Sequence, residues 1–206
     1  MANGIKIKER ILTRAEEMFL KSGYSKVTMD KIAFDLGMSK KTLYKFFPSK
    51  EELVREIIFK MKCFAHDYID DIFSVNEMDF IEKLEKLLNL IRILSSKFEG
   101  PLLEELYKNI PELWLKINEF RNEYLRQKFT QLIVSGVEKG FFRKDIDHQL
   151  IVLICSSAIK GLMNYEILTQ IPFSGEQVFE NIVKVIFGGF LTKEGRISYN
   201  SYQMVS

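Results

Sequence analysis

The sequence predicts an all-α fold, and three observations support this. Apolar residues recur three and four positions apart along most of the 206 residues, which is the spacing of one face of an α-helix. Runs in which apolar and polar residues alternate, as half-buried strands require, find little support. The prolines are few, and each fits a break between helices: Pro48, Pro101, Pro111 and Pro172. This pattern predicts about nine helices.

Three short helices are expected first, separated by glycines. Their predicted ranges are 5–21, 28–36 and 40–47. Gly23 suits a left-handed cap at the end of the first helix, and Gly37 suits the turn between the second and the third. A fourth helix is expected from Pro48 to about residue 73, because Ser49 and Glu52 have the spacing of a capping box.

Longer helices are expected in the rest of the chain. Their predicted ranges are 77–98, 102–108, 112–139, 147–169 and 174–191. The second of two capping boxes, Ser174 with Gln177, marks the start of the last of these helices. The polar tail from Lys193 is expected to fray. The change from short to long helices predicts two domains, a head over residues 1–55 and a larger helical body over residues 56–206.

The charge distribution separates the same two parts. The whole chain carries a formal net charge of +2. Residues 1–55 hold 12 Lys and Arg against 7 Asp and Glu, which is +5, and the other 151 residues hold 18 against 21, which is −3. The basic excess therefore lies in the head, as binding to nucleic-acid phosphates requires.

The second and third helices have the pattern of a helix-turn-helix. Ala33 is small enough for a close helix crossing, and Gly37 can supply the turn. The shared core is predicted from the apolar positions Ile32, Leu36, Met38, Leu43 and Phe46. The second helix of such a motif enters the major groove of DNA.

In these residues the sequence resembles the tetracycline-repressor (TetR) family of bacterial transcription regulators. The resemblance covers about residues 5–60 and rests on an ordered set of short motifs. They are Ile11-Leu12, Met18-Phe19, Gly23-Tyr24, Thr28, Ile32-Ala33, Gly37, Ser39-Lys40, Leu43 to Phe47 and Ser49 to Leu53. The resemblance implies a three-helix DNA-binding head, a helical body that dimerises, and a pocket for a small molecule.

The resemblance also implies roles for individual head residues. Thr28 would cap the second helix and touch a phosphate, and Tyr44 and Lys50 would bind further phosphates. The predicted DNA-binding set is Thr28, Ser39, Lys40, Lys41, Thr42, Tyr44, Lys45 and Lys50. Lys41 departs from the small residue common in the family, and Phe46 replaces a histidine or tyrosine that reaches phosphate. For the lysines, the alternative is an ordinary solvated face.

The body offers candidates for a ligand pocket. They are Phe98, Trp114, Phe120, Tyr124, Met163 and Tyr165. Cavities in helical bundles are lined by apolar and aromatic side chains, which would favour a largely apolar ligand. The alternative is that these residues form a packed core.

The last two long helices carry apolar residues on more than one face, which predicts burial on several sides. The resemblance implies a homodimer built from two helices of each subunit. Candidate interface residues are Ile154, Ala158, Gly161, Val183, Phe187 and Phe190. The alternative is a helix pair buried within one chain.

Other classes of function find little support. His66 and His148 lack the neighbours of a metal site, and Cys63 and Cys155 fit buried structural thiols in a reducing compartment. Catalytic motifs and a membrane-spanning stretch are not recognisable. We therefore expect a cytoplasmic protein that is not an enzyme, needs no metal or cofactor, and does not bind membranes.

The sequence thus predicts a homodimeric DNA-binding regulator. It would act as a repressor that a small, largely apolar effector releases from a palindromic double-stranded operator. The alternative is a helical ligand-binding or assembly module without operator recognition.

Overall fold

A computed structural model describes residues 2–74, 78–97, 102–163 and 165–203. Within these ranges the chain is helical and has no strand, as predicted, apart from an isolated antiparallel bridge between Phe142 and Leu191. The helices are α1 (Ala2–Ser22), α2 (Met29–Asp35), α3 (Lys40–Phe46), α4 (Lys50–Ser74), α5 (Phe80–Lys97), α6 (Leu102–Asn109), α7 (Pro111–Glu119), a π-helical segment (Phe120–Leu125), α8 (Arg126–Glu138), α9 (His148–Leu162), α10 (Tyr165–Leu168), α11 (Gly175–Phe190) and α12 (Lys193–Gln203).

The chain divides into two compact units. The first holds Met1–Phe64 and Gly100–Asn118, and the second holds Ala65–Glu99 and Glu119–Ser206. The first unit therefore contains α1 to α3, the beginning of α4, and the helices α6 and α7. Its core includes the fully buried side chains of Ile11, Phe19 and Leu53.

The core of the second unit is built from the second half of α4 together with α5, α8, α9 and α11. Phe80 and Phe142 are almost fully buried and meet edge to face, with ring centres 5.9 Å apart. Gly136 on α8 lies directly against both rings, since a Cβ atom built there would approach them to 2.4–2.5 Å. A glycine is therefore needed at this point for α8 to pack.

Two predicted helices are interrupted. The helix expected over 112–139 contains the π-helical segment between α7 and α8. The helix expected over 147–169 starts after its predicted N-cap, Asp147, but ends at Leu162. The capping box of Ser174 and Gln177 is present at the start of α11, as predicted.

The prediction of a frayed tail from Lys193 is wrong, because residues 193–203 form α12. Thr192 begins it: its hydroxyl donates to the carbonyl of Gly140 over 2.7 Å and accepts from the N–H of Gly195 over 3.0 Å. The Tyr199 ring then meets the ring of Phe187 edge to face, with centres 5.7 Å apart. Contacts with distant residues hold this polar helix, which its own sequence does not indicate.

The described part of the chain contains no helix that is both long and apolar enough to cross a bilayer. Nor do those residues bring three His, Cys, Asp or Glu side chains together as a metal site would. Burial raises the pKa of the Cys155 thiol to about 12, so it stays protonated at neutral pH.

Candidate nucleic-acid interface

The helix-turn-helix is formed by α2, α3 and the turn between them. Gly37 adopts a φ of +63°, in the left-handed region that glycine occupies without strain. The N–H of Met38 donates to the carbonyl of Ala33 over 3.0 Å, which closes the end of α2. The turn predicted from Gly37 is therefore present.

Each helix of the motif starts at a hydroxyl cap. The Thr28 hydroxyl accepts from the N–H of Lys31 over 3.2 Å at the start of α2. The Ser39 hydroxyl accepts from the N–H of Thr42 over 3.0 Å at the start of α3. Both caps satisfy donors that would otherwise face solvent, and they fix the direction of the two helices.

The core beneath the motif differs from the predicted one at two positions. Ile32, Leu36 and Leu43 are buried as predicted. Phe46, however, is half-buried, and its neighbour Phe47 is the fully enclosed ring, because the chain leaves the helix at Phe47. Met38 is also half-buried and contributes less than predicted.

Three of the predicted phosphate contacts meet in one place. Thr28, Tyr44 and Lys50 line an open depression of about 290 Å³, together with Met29 and Asp30. Tyr44 is exposed to 45%. A hydroxyl from the start of α2, a phenol from α3 and an ammonium from α4 thus converge, and all three can donate hydrogen bonds.

Lys50 also has a structural role in the head. Its ammonium donates to the carbonyls of Tyr24 over 3.0 Å and Val27 over 3.2 Å, and lies 3.9 Å from the centre of the Tyr24 ring. Burial lowers the pKa of Lys50, and the negative charge of Glu105 opposes this shift. The positive charge is therefore held in place beside the depression before any partner binds.

The exposed face of α3 carries the remaining predicted contacts. Lys41 and Lys45 are exposed, and Thr42 is half-buried with its hydroxyl 2.8 Å from that of Ser39. Lys40 pairs with Asp30 over 2.5 Å. Both partners of this pair are more than half exposed, so the pair adds little stability and can open when a phosphate approaches.

The sequence patterns did not identify Asp30, Tyr24 or Glu105 as neighbours of this surface. Asp30 lies in the first turn of α2, and its partner Lys40 is ten positions further along the chain. The contacts of Tyr24 and Glu105 depend on packing between distant segments. The Gly23-Tyr24 pair was part of the motif set, but its spacing did not show that the ring lies beneath Lys50.

Comparison with known proteins agrees with this geometry. Residues 11–57, which span the helix-turn-helix, match the family described as bacterial regulatory proteins, tetR family. The chain carries the DNA-binding head of the TetR family. It is a DNA-binding transcription regulator of the helix-turn-helix type, as the sequence predicted, and the alternative of a module without DNA recognition is not favoured. The family consists of regulators rather than enzymes.

Similarity extends along most of the chain. The HTH-type transcriptional regulator YvaF of Bacillus subtilis is 26% identical over 186 residues, which cover 90% of this chain and 96% of the relative. The HTH-type transcriptional repressor KstR2 of Mycolicibacterium smegmatis is 24% identical over 198 residues, or 91% of this chain and 92% of the relative. A crystal structure of a TetR-family regulator from Marinobacter aquaeolei shares the fold with a TM-score of 0.74, at 20% identity, over 96% of this chain and 97% of that one.

The candidate pocket residues fall into two groups. Phe120, Tyr124 and Met163 belong to the hydrophobic cluster of the second unit. Trp114 lies in the first unit, where it meets Tyr107 edge to face at 5.0 Å. Phe98 and the side chain of Tyr165 lie outside the described residues.

The π-helical segment carries an aromatic cluster. Phe120 and Tyr124 stack with centres 5.4 Å apart, and the His66 ring lies 3.9 Å from that of Tyr124. The Tyr124 hydroxyl donates to Asp70 over 3.4 Å, and burial, followed by the charge of Asp70, raises the Tyr124 pKa. The sequence indicates no functional role for His66, and the structure places it among aromatic rings.

The candidate interface residues differ in exposure. Ile154 is 46% exposed, Gly161 is exposed, and Ala158, Val183 and Phe190 are half-buried. Phe187 is 3% exposed and packs against Phe142, with ring centres 5.9 Å apart, inside its own subunit. Phe187 therefore supports α11 from within.

Proposed function

We propose that this protein is a homodimeric repressor that a small, largely apolar molecule releases from a palindromic operator. Residues 1–55 would read the DNA, and residues 56–206 would bind the effector and dimerise, in the cytoplasm. The observation that carries this proposal is the convergence of Thr28, Tyr44 and Lys50 on one depression beside the exposed start of α3. Relatives named as a transcriptional repressor and as a negative transcriptional regulator agree with the direction of regulation.

The depression suits a DNA phosphate. The hydroxyls of Thr28 and Tyr44 can donate to phosphate oxygens, and the ammonium of Lys50 supplies positive charge. Lys50 already donates to two backbone carbonyls, so its charge is fixed with little further loss of side-chain freedom. Contacts of this kind position a protein on the duplex without reading its sequence.

The N-terminal half of α3 suits the major groove. Ser39, Lys40, Lys41 and Thr42 occupy its first turn, where a recognition helix meets base edges. Lysine can donate to the O6 and N7 acceptors of guanine. Lys41 is exposed and would make such a contact or bind the neighbouring phosphate, while Lys45 would lie at the rim of the groove.

The dimer proposal rests on exposed apolar side chains along α9 and α11. Leu150 and Ile154 are four residues apart on α9 and are 54% and 46% exposed, while Val185 on α11 is 76% exposed. Nothing lies within 4 Å of a Cβ built at Gly161 or Gly188, so another helix could approach these backbones closely. Apolar side chains grouped in this way favour an interface with a second subunit.

The effector site is proposed at the aromatic cluster of the second unit. Phe120, Tyr124 and His66 offer ring faces, and Met163 is buried in the same hydrophobic cluster. A π-helical segment in an α-helical stretch often marks a functional site. To release DNA, the effector must bind the weakly DNA-binding state more tightly than the other state.

The test is a binding titration with DNA from upstream of the protein's own gene. We expect a nanomolar Kd at moderate salt. If each head makes about four to five phosphate contacts, a dimer would give a slope of log K against log salt of about −7 to −9. Failure to bind any DNA above background would overturn the proposal. Binding with a flat salt dependence would contradict the phosphate contacts.

A further inference from the structure

A carboxylate from α6 holds the loop between α1 and α2. The Oε2 atom of Glu105 accepts a hydrogen bond from the backbone N–H of Ser25 over 2.5 Å, although the two residues are 80 positions apart. Both residues belong to the first unit. The contact joins α6 to the segment that leads into the helix-turn-helix.

Gly23 makes this contact possible. Its φ is +81°, and a Cβ atom built there would lie 2.9 Å from both oxygens of the Glu105 carboxylate. The carboxylate thus occupies the space that a side chain at position 23 would need. The loop is shaped to receive Glu105 as well as to end α1.

Lys50 binds the same loop. Its ammonium donates to the carbonyls of Tyr24 and Val27, on either side of the Ser25 amide that Glu105 binds. Val27 directly precedes Thr28, the N-cap of α2. One acid and one base therefore fix the few residues that place Thr28 beside the depression.

We propose that Glu105 is a positioning residue for DNA binding: its carboxylate fixes the α1–α2 loop in the arrangement that presents Thr28 and Lys50 to a phosphate. This inference rests on the proposed phosphate site. The negative charge of Glu105 also opposes the lowering of the Lys50 pKa, which agrees with the two side chains acting on one loop.

The direction in which DNA affinity changes when Glu105 is removed distinguishes a positioning role from simple electrostatics. Removing an acid from a basic DNA-binding unit should tighten DNA binding if charge alone matters. If Glu105 positions the loop, Glu105→Ala should instead weaken operator binding, by about tenfold for the loss of a charge-assisted hydrogen bond. Glu105→Gln keeps an oxygen acceptor and should restore part of the affinity, leaving a loss of about threefold.

Glu112→Ala and Glu112→Gln are the matched controls. Glu112 lies on α7 in the same unit, is 78% exposed and pairs with Arg55 of α4 over 3.4 Å. These variants change the charge equally and should bind the operator as tightly as the parent or slightly more tightly. Circular dichroism checks the fold. If Glu105→Ala loses its helical signal, the operator affinities of Glu105→Gln and Glu112→Gln are compared instead. We then expect Glu105→Gln to bind about threefold more weakly than the parent and Glu112→Gln to show no loss.

A measurement without DNA tests the loop itself. Amide hydrogen exchange at Ser25 should speed up at least tenfold in Glu105→Ala and stay unchanged in Glu112→Ala, because the amide loses its acceptor. Operator binding by Glu105→Ala at or above the level of the Glu112 control would overturn the proposal, as would unchanged exchange at Ser25. If the parent protein bound no DNA, the proposed function would fail, whereas the exchange result would still decide whether Glu105 holds the loop.

Discussion

Tyr44 and Lys50 contribute to the same depression in different ways. Lys50 is half-buried, bonded to two carbonyls and placed over the Tyr24 ring, so it stabilises the head as well as carrying charge. Tyr44 has its ring partly exposed on α3. A substitution of Lys50 would mix stability with DNA binding. A substitution of the Tyr44 hydroxyl tests the phosphate contact more cleanly.

We predict that Tyr44→Phe weakens DNA binding without changing stability. The ring stays and the hydroxyl is lost, so stability should be unchanged while binding weakens about tenfold, equally for operator and unrelated DNA. Tyr107→Phe, at an exposed tyrosine of the same unit, is the control and should have no effect on binding. Titrations with the operator and with unrelated DNA measure the two affinities. A loss of specificity with unchanged affinity would mean that Tyr44 reads a base.

Among the elements, those of the head were the most predictable. Gly37 and the caps Thr28 and Ser39 act on residues within three or four positions, so the sequence reveals the turn and the helix starts. The π-helical segment has the spacing of an ordinary helix and contains neither Pro nor Gly, so nothing local marks it. Helix α12 and the contact of Glu105 depend on residues about 50 and 80 positions away, which spacing cannot reveal.

The packing of α8 leads to a prediction about the thermal stability of the protein. Gly136→Ala places a methyl group against the buried rings of Phe80 and Phe142, which cannot move without disturbing the core. Overpacking of this kind costs about 1–3 kcal/mol of stability, or about 2–12 °C in Tm for a chain of this length. Calorimetry or thermal circular dichroism would measure it.

Gly4→Ala is the control for that experiment. It lies in α1 with nothing within 4 Å of the added methyl group, and alanine favours a helix over glycine. Its Tm should not fall. A Gly136→Ala protein as stable as the parent would contradict the close approach of α8 to the two rings.

The protein is proposed to bind DNA as a dimer, because one helix-turn-helix head contacts only one half of a palindromic DNA site. A two-fold axis places two recognition helices about 34 Å apart, or a multiple of it, to match successive turns of DNA. Ile154→Asp and Val185→Asp introduce charge on the exposed faces of α9 and α11. We expect these variants to remain helical but become monomeric by light scattering, and to lose most of their operator affinity.

The most direct test of the account is the stoichiometry and affinity of binding to a full palindromic operator and to an isolated half-site. Sedimentation and anisotropy titrations on the two duplexes provide both values. We predict an even number of protomers on the full site, with the half-site bound at least about a hundredfold more weakly, because the second head adds its own contacts at high effective concentration. A single protomer bound with equal affinity to both duplexes would contradict the account.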